Sequence, residues 1–343
     1  SHFSDSYYEA RALFRSRARD AGVTLHTLPL PHLTHLDLSI DVAVIPGRKD
    51  GAFVHMSGTH GVEGFAGSAI QSAILADARN LTSKSGPTVV LVHALNPYGF
   101  SQADPNANGY ADIYDIINPV PSGSPWKMHF VFLKSVVQMA IKGYAFVKKA
   151  MVSATYHFSE GIFFGGFEKQ PSLQLLETFL VQKVGIDKLS ALTIVDVHTG
   201  LGPAGVDTIL LTPMCDTPVA EKIFAEENAA GLVASTNAKG NTVTKGYENS
   251  GGYVTDGIVG LFPAEHRAKV ITVGQEFGTV PFLFVTKALI EENAMYEHYP
   301  TRRMPFAEKL RDVFYVHKSA SWKQQIVARG LALFQKLYKH ATK

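Results

Sequence analysis

A histidine and a glutamate stand three residues apart in Ser57-Gly58-Thr59-His60-Gly61-Val62-Glu63-Gly64, a glycine-bracketed turn after the apolar run Ala52-Phe53-Val54. A helical pattern over residues 65–75 follows it. Turns between a strand and a helix lie at the carboxyl ends of parallel strands, where open α/β sheets place their ligands. Imidazole nitrogen and carboxylate oxygen suit zinc at roughly 2.0–2.2 Å, and a catalytic zinc takes three protein ligands and leaves one position for water. The pair alone is also what an ordinary polar surface turn contains, so a third ligand is required. The best candidate is His198, which follows the apolar run at 192–197 and precedes Thr199-Gly200. Asp196, two residues earlier, points to the same side of a strand and could hold the His198 ring in place.

A hydrolytic site needs one more group. Glu276 ends the strand pattern Val270-Ile271-Thr272-Val273-Gly274-Gln275. A glutamate there could take a proton from water whose pKa a metal lowers toward about 7, and later deliver it to a leaving amine. Taken by itself, Glu276 reads first as an ordinary strand-end carboxylate paired with a lysine or arginine. His55 and His93 lie in strand patterns, where a core imidazole is the simpler reading, and His157, His266 and His298 fall in loops or at helix ends.

These residues need a scaffold that brings distant segments together. Apolar strand patterns recur at 41–45, 52–56, 88–93, 192–197, 208–212 and 270–273. Helical patterns occupy 6–21, 65–78, 126–151, 172–184, 217–230, 280–296 and 321–339. Such alternation predicts an α/β fold, a three-layer arrangement of a mixed, mostly parallel sheet with helices on both faces. No linker divides the chain, so residues 1–343 are expected to form a single domain, with an insertion on the rim at about 101–161. Rim loops are where substrate selection usually resides. The segment 248–257 is a second such loop, and its Tyr253 could cover a substrate or simply pack within the loop.

Composition narrows the function classes. The chain has 343 residues, 46% of them hydrophobic, and a formal net charge of +2. So small a surplus argues against a dedicated nucleic-acid surface. The single cysteine, Cys215, rules out an intramolecular disulfide, and no basic-then-apolar leader opens the sequence; together these favour a reducing, cytoplasmic setting. The apolar stretch 128–151 is interrupted by Lys134, Lys142, Lys148 and Lys149. Each lysine at the centre of a membrane helix would cost about 2.5–3.5 kcal/mol on insertion scales, so a surface helix or a lid is the expected role.

Five segments in order, Ser57 to Ser68, Val92-His93-Ala94-Leu95-Asn96-Pro97-Tyr98-Gly99-Phe100, Gly161-Ile162-Phe163-Phe164-Gly165-Gly166, Asp196-Val197-His198-Thr199-Gly200-Leu201-Gly202-Pro203 and Gln275-Glu276-Phe277-Gly278-Thr279, together resemble the zinc carboxypeptidase-like superfamily. They resemble most closely its branch known as domain of unknown function 2817. The resemblance implies the carboxypeptidase-like fold, a zinc ion held by His60, Glu63 and His198, and Glu276 as general base. It implies hydrolysis of an amide bond in a small peptide. The Gly-x-His-Gly-x-Glu turn is also similar to that of aspartoacylases and succinylglutamate desuccinylases, which makes N-acyl amino acids the alternative substrates.

One departure stands out. Where the superfamily carries an arginine-containing motif that receives the substrate carboxylate and the oxyanion, residues 101–118 contain no arginine. Arginine's planar fork is what makes bidentate carboxylate recognition possible. Arg267, Arg302 and Arg303 are the candidate substitutes. The altered region also motivates a third reading, a metal-binding interaction protein that has lost turnover, against which the intact ligand set and Glu276 argue.

Overall fold

Runs of β-branched and small apolar residues make the centre of the sheet. The computed structural model describes residues 1–31, 33–81, 85–102, 127–152, 162, 167–235 and 252–343. Along the chain come α1 (Tyr7–Asp20), β1 (Thr24–Pro29), β2 (Ser39–Ile45), β3 (Arg48–Met56), α2 (Gly64–Ala76), β4 (Pro87–His93), α3 (Pro97–Gln102), α4 (Lys127–Lys142) and α5 (Tyr144–Val152). There follow α6 (Pro171–Phe179), β5 (Ala191–Ala204), β6 (Asp207–Leu211), α7 (Thr217–Ile223), α8 (Ala225–Ala229), β7 (Val233–Ser235) and α9 (Val254–Val259). The last elements are β8 (Ile271–Gly278), α10 (Phe282–His298), α11 (Met304–Phe314) and α12 (Ala320–Ala341).

The described strands form one mixed sheet in the order β1-β2-β4-β3-β5-β8-β6-β7. Its centre, β4-β3-β5-β8, is parallel, while β1, β2 and β6 run antiparallel to their inner neighbours. In β3 the residues from Gly51 to Met56 are all buried, as a strand covered on both faces must be. Phe53 packs with Phe65, Ile70 and Phe334 on one face. Val54 and Met56 pack with Leu176, Leu180, Ile258 and Phe262 on the other. The architecture is therefore the α/β arrangement that the alternating patterns predict.

Side-chain caps fix several helix starts. Ser6 accepts from the Glu9 N–H at 3.2 Å and Ser319 from the Trp322 N–H at 3.2 Å, satisfying donors that a helix terminus leaves open. The helix expected over 126–151 is instead two, α4 and α5, meeting at Gly143 with φ +87°. That conformation suits glycine and strains residues with a Cβ. The pattern at 217–230 likewise divides into α7 and α8 at Phe224, and that at 172–184 ends in a π-helical turn, Leu180–Val184.

Candidate metal centre

The carboxyl ends of β3, β5 and β8 supply the site. Past Met56 the chain turns through Gly58, with φ +62°, into the 3-10 turn Gly61–Glu63 that His60 precedes. Gly61 lies against the start of α3: a Cβ there would sit 2.1 Å from the Gly99 carbonyl carbon. Only glycine lets the two backbones approach so closely, and this approach holds the turn over the sheet edge. In β5, Asp196 pairs in register with Met56 of β3, and His198 with Glu276 of β8. Segments far apart in sequence thus converge within two strand spacings.

His60, Glu63 and His198 offer ligand atoms that all lie within 4.8 Å of one another. The imidazole rings of His60 and His198 have centroids 4.9 Å apart. Glu63 Oε2 stands 3.2 Å from His198 Nδ1 and accepts the Thr199 N–H at 3.0 Å. The other His198 nitrogen, Nε2, lies 3.0 Å from Asp196 Oδ2, and Asp196 Oδ1 accepts from the Thr59 hydroxyl at 2.7 Å. Glu276 is 8% exposed, and its Oε1 accepts the Leu201 N–H at 2.8 Å.

The electrostatics of this cluster call for a cation. Burial lowers the pKa of His60. Burial works the same way on His198, yet the Asp196 and Glu63 carboxylates override it and raise its pKa well above the usual histidine value. The cluster therefore favours positive charge at the point where its nitrogen and carboxylate donors meet. Burial, and then the negative charge of Glu63, push Glu276 up to about 7. Borderline-soft nitrogen and hard oxygen donors together, clustered at separations close to those that bonds of roughly 2.0–2.2 Å to one ion demand, fit zinc.

Two residues that sequence reading passed over join the site from α5. Lys148 is 1% exposed, and its charge bears on the Glu276 carboxyl, lowering its pKa against the larger raising effects. Tyr144 is half-buried, and burial followed by the Glu276 charge raises its pKa. The Lys148 ammonium lies 6.0 Å from the centre of the Tyr144 ring. A lysine in an apolar helical run reads as surface charge, and only its burial reveals it.

Two of the three candidate arginines are otherwise engaged. Arg303 is buried, with Nε 2.5 Å from Glu292 Oε1. Arg267 donates from Nε to the Phe262 carbonyl at 2.9 Å and from Nη2 to the Gly260 carbonyl at 2.5 Å. It also precedes β8, at the opposite end of that strand from Glu276. Arg302 is exposed in the turn Pro300–Arg302. Tyr253 is half-buried at the start of α9. Residues 103–126, which include most of the arginine-free stretch, and 248–251 lie outside the described residues.

His55 and His93 are core residues. His93 stacks on Phe14 with centroids 4.7 Å apart and shares a 3.0 Å hydrogen bond with the Ser68 hydroxyl. His55 Nδ1 is 3.4 Å from Gln71 Nε2. Each has one ring nitrogen without a hydrogen-bond partner among the described residues. Cys215 is buried, and burial pushes its thiol up to about 11, an inert setting.

Comparison with known proteins bears on the family. Over 96% of its length the chain superposes on 98% of bovine thrombin-activatable fibrinolysis inhibitor, solved in complex with tick carboxypeptidase inhibitor, at 11% identity and TM-score 0.45. A succinylglutamate desuccinylase/aspartoacylase from Rhodobacter sphaeroides aligns over 80% of this chain and 63% of its own, at 15% identity and TM-score 0.32. LapB from Legionella pneumophila aligns over 96% and 64%, at 12% identity and TM-score 0.39. No curated protein matches the sequence. The family described as protein of unknown function (DUF2817) matches over residues 3–104 and 100–329, and the chain belongs to it.

Proposed function

We propose that this protein is a zinc-dependent hydrolase of amide bonds, carboxypeptidase-like in fold and in the use of a glutamate base. The observation that carries the reading is the convergence of His60, Glu63 and His198 ligand atoms within 4.8 Å, beside a buried Glu276. Zinc bound there would act as a Lewis acid on the scissile carbonyl and lower the pKa of water. Asp196 holds the His198 ring through its second nitrogen, which fixes the tautomer and orientation that a ligand needs. Glu276, held by the Leu201 N–H, takes a proton from the attacking water and returns it to the leaving amine. Burial raises its pKa from the ordinary carboxylate range, the direction that lets a carboxyl both accept and return a proton.

Lys148 answers the missing arginine. A buried ammonium whose field reaches Glu276 gives a compact positive charge to receive the substrate carboxylate or the developing oxyanion, in place of a guanidinium fork. Small peptides and N-acyl amino acids alike carry a carboxylate that such a charge can receive, so N-acyl amino acids remain the alternative substrates to small peptides. The test is a panel of N-acyl amino acids and C-terminal dipeptides with zinc-loaded protein, each repeated after chelation. Zinc-dependent release of an amine from either class supports the reading. Metal binding with no hydrolysis of any amide would favour the non-catalytic alternative.

A further inference from the structure

No helix among the described residues is long and apolar enough to cross a membrane, yet α4 is apolar on two opposite sides. Its inner side carries Met128, Val131, Phe132 and Met139 into the main core. On the outer side Leu133, Val137 and Ile141 repeat at helical spacing and are 55%, 45% and 73% exposed. A helix that is hydrophobic all round is ordinarily covered all round. Beyond Gly143 the apolar area continues with Phe146, 47% exposed, and with Leu283 and Phe284 in the first turn of α10, 41% and 61% exposed. The start of α5 joins the two, since the Tyr144 ring packs edge-on against Phe282 at 4.9 Å.

Among the described residues, the charged side chains exposed on α4 have one sign. Lys127, Lys134, Lys142, Lys148 and Lys149 are the ionisable chains of α4 and α5 other than His129 and Tyr144, and neither helix contains Asp or Glu. Lys134 and Lys142 are exposed beside Leu133 and Ile141. The Lys142 ammonium lies 4.5 Å from the centre of the Phe146 ring, its stem along apolar surface with the charge at the rim. On α10, which packs against α4, Glu291 is buried between Lys287 at 2.8 Å and Lys309 at 2.6 Å. Glu292 is buried against Arg303. Glu291 and Glu292 are thus turned inward here, while Lys134 and Lys142 face outward.

We propose that the outer face of α4, with Phe146 and the first turn of α10, docks on the surface of a bilayer containing anionic lipid. Leu133, Val137, Ile141, Phe146 and Phe284 enter the boundary between headgroups and acyl chains, while Lys134 and Lys142 meet lipid phosphates. This is the pattern of a helix lying in the interface plane. A second copy of the chain fits less well, since a two-fold contact through this face would set Lys134 and Lys142 against their own counterparts. The face borders the candidate metal centre, because α10 follows directly on β8, which carries Glu276.

The experiment is co-sedimentation of the full chain with vesicles of phosphatidylcholine alone and of phosphatidylcholine with phosphatidylglycerol. Binding is expected only to the anionic vesicles and should weaken as salt screens the lysines. The double variant Leu133→Asp with Ile141→Asp should lower the bound fraction by about tenfold or more. Lys134→Glu with Lys142→Glu should abolish the preference for anionic lipid, and circular dichroism confirms the fold of each variant. Wild-type protein that stays in the supernatant with both vesicles overturns the proposal. So does binding that the aspartate variant retains, or a lipid-free dimer that the aspartate variant splits, which would give the face to a second copy.

Discussion

Glu276 and Lys148 separate the chemistry from the metal. Glu276→Gln keeps shape and hydrogen bonding but removes the base, so it should retain metal while turnover falls by about 10²–10⁴-fold. Metal content and rate, measured on one preparation, check both halves. Lys148→Met keeps the length of the side chain and removes its charge. Binding of anionic substrates should weaken by about tenfold or more, as expected for loss of one charge-assisted contact, while neutral analogues change little; KM values for matched pairs decide this. His60, Glu63, His198, Asp196 and Glu276 were all legible in the sequence, because each sits in a polar, glycine-flanked turn or strand end after an apolar run. Lys148 and Tyr144 were not, since nothing in a helical lysine reports that it is buried. Arg303 and Arg267 illustrate the converse: a guanidinium looks available in a sequence until Glu292 or a helix-end carbonyl is seen to hold it.

At the level of elements, the turn between β3 and α2 carries the most constraint. Gly61→Ala would place a Cβ 2.1 Å from the Gly99 carbonyl carbon, so either α3 or the His60–Glu63 turn must move. We expect a destabilisation of about 2–4 kcal/mol and metal affinity at least about tenfold weaker, in line with the loss of other supporting interactions; denaturant unfolding and metal titration measure the two. The inner strands were readable because both faces are buried and their runs are continuously apolar. The edge strands β1 and β7 were not: Thr24–Pro29 is only half-buried, with polar residues interleaved, and Val233–Ser235 is very short. Helix α11 was readable in principle, with Ala307, Leu310, Val313 and Phe314 buried along one side. It matters to the site, since the Thr199 hydroxyl donates to the Phe314 carbonyl at 2.8 Å and anchors the strand that bears His198.

For the whole molecule, two buried neutral histidines link stability to pH. Burial lowers both His55 and His93 to about 4, below the value of about 6.5 they regain on unfolding. The unfolded chain therefore binds protons first as pH falls. Their contribution is complete above about pH 6.5 and is lost between there and about pH 4, up to roughly 3 kcal/mol for each. Urea unfolding across that range should show the decline, and His93→Gln should flatten it. Metal binding runs in the same direction, since His198 must release its proton to become a ligand, so affinity should rise with pH through neutrality. The central claim, that one sheet edge gathers a three-residue metal centre, is tested most directly by zinc content per chain after dialysis. The account predicts one zinc in the wild type and in Glu276→Gln, and almost none in His60→Ala, Glu63→Ala or His198→Ala. Wild-type protein that binds no zinc, or a His198→Ala variant that keeps its full complement, would contradict it.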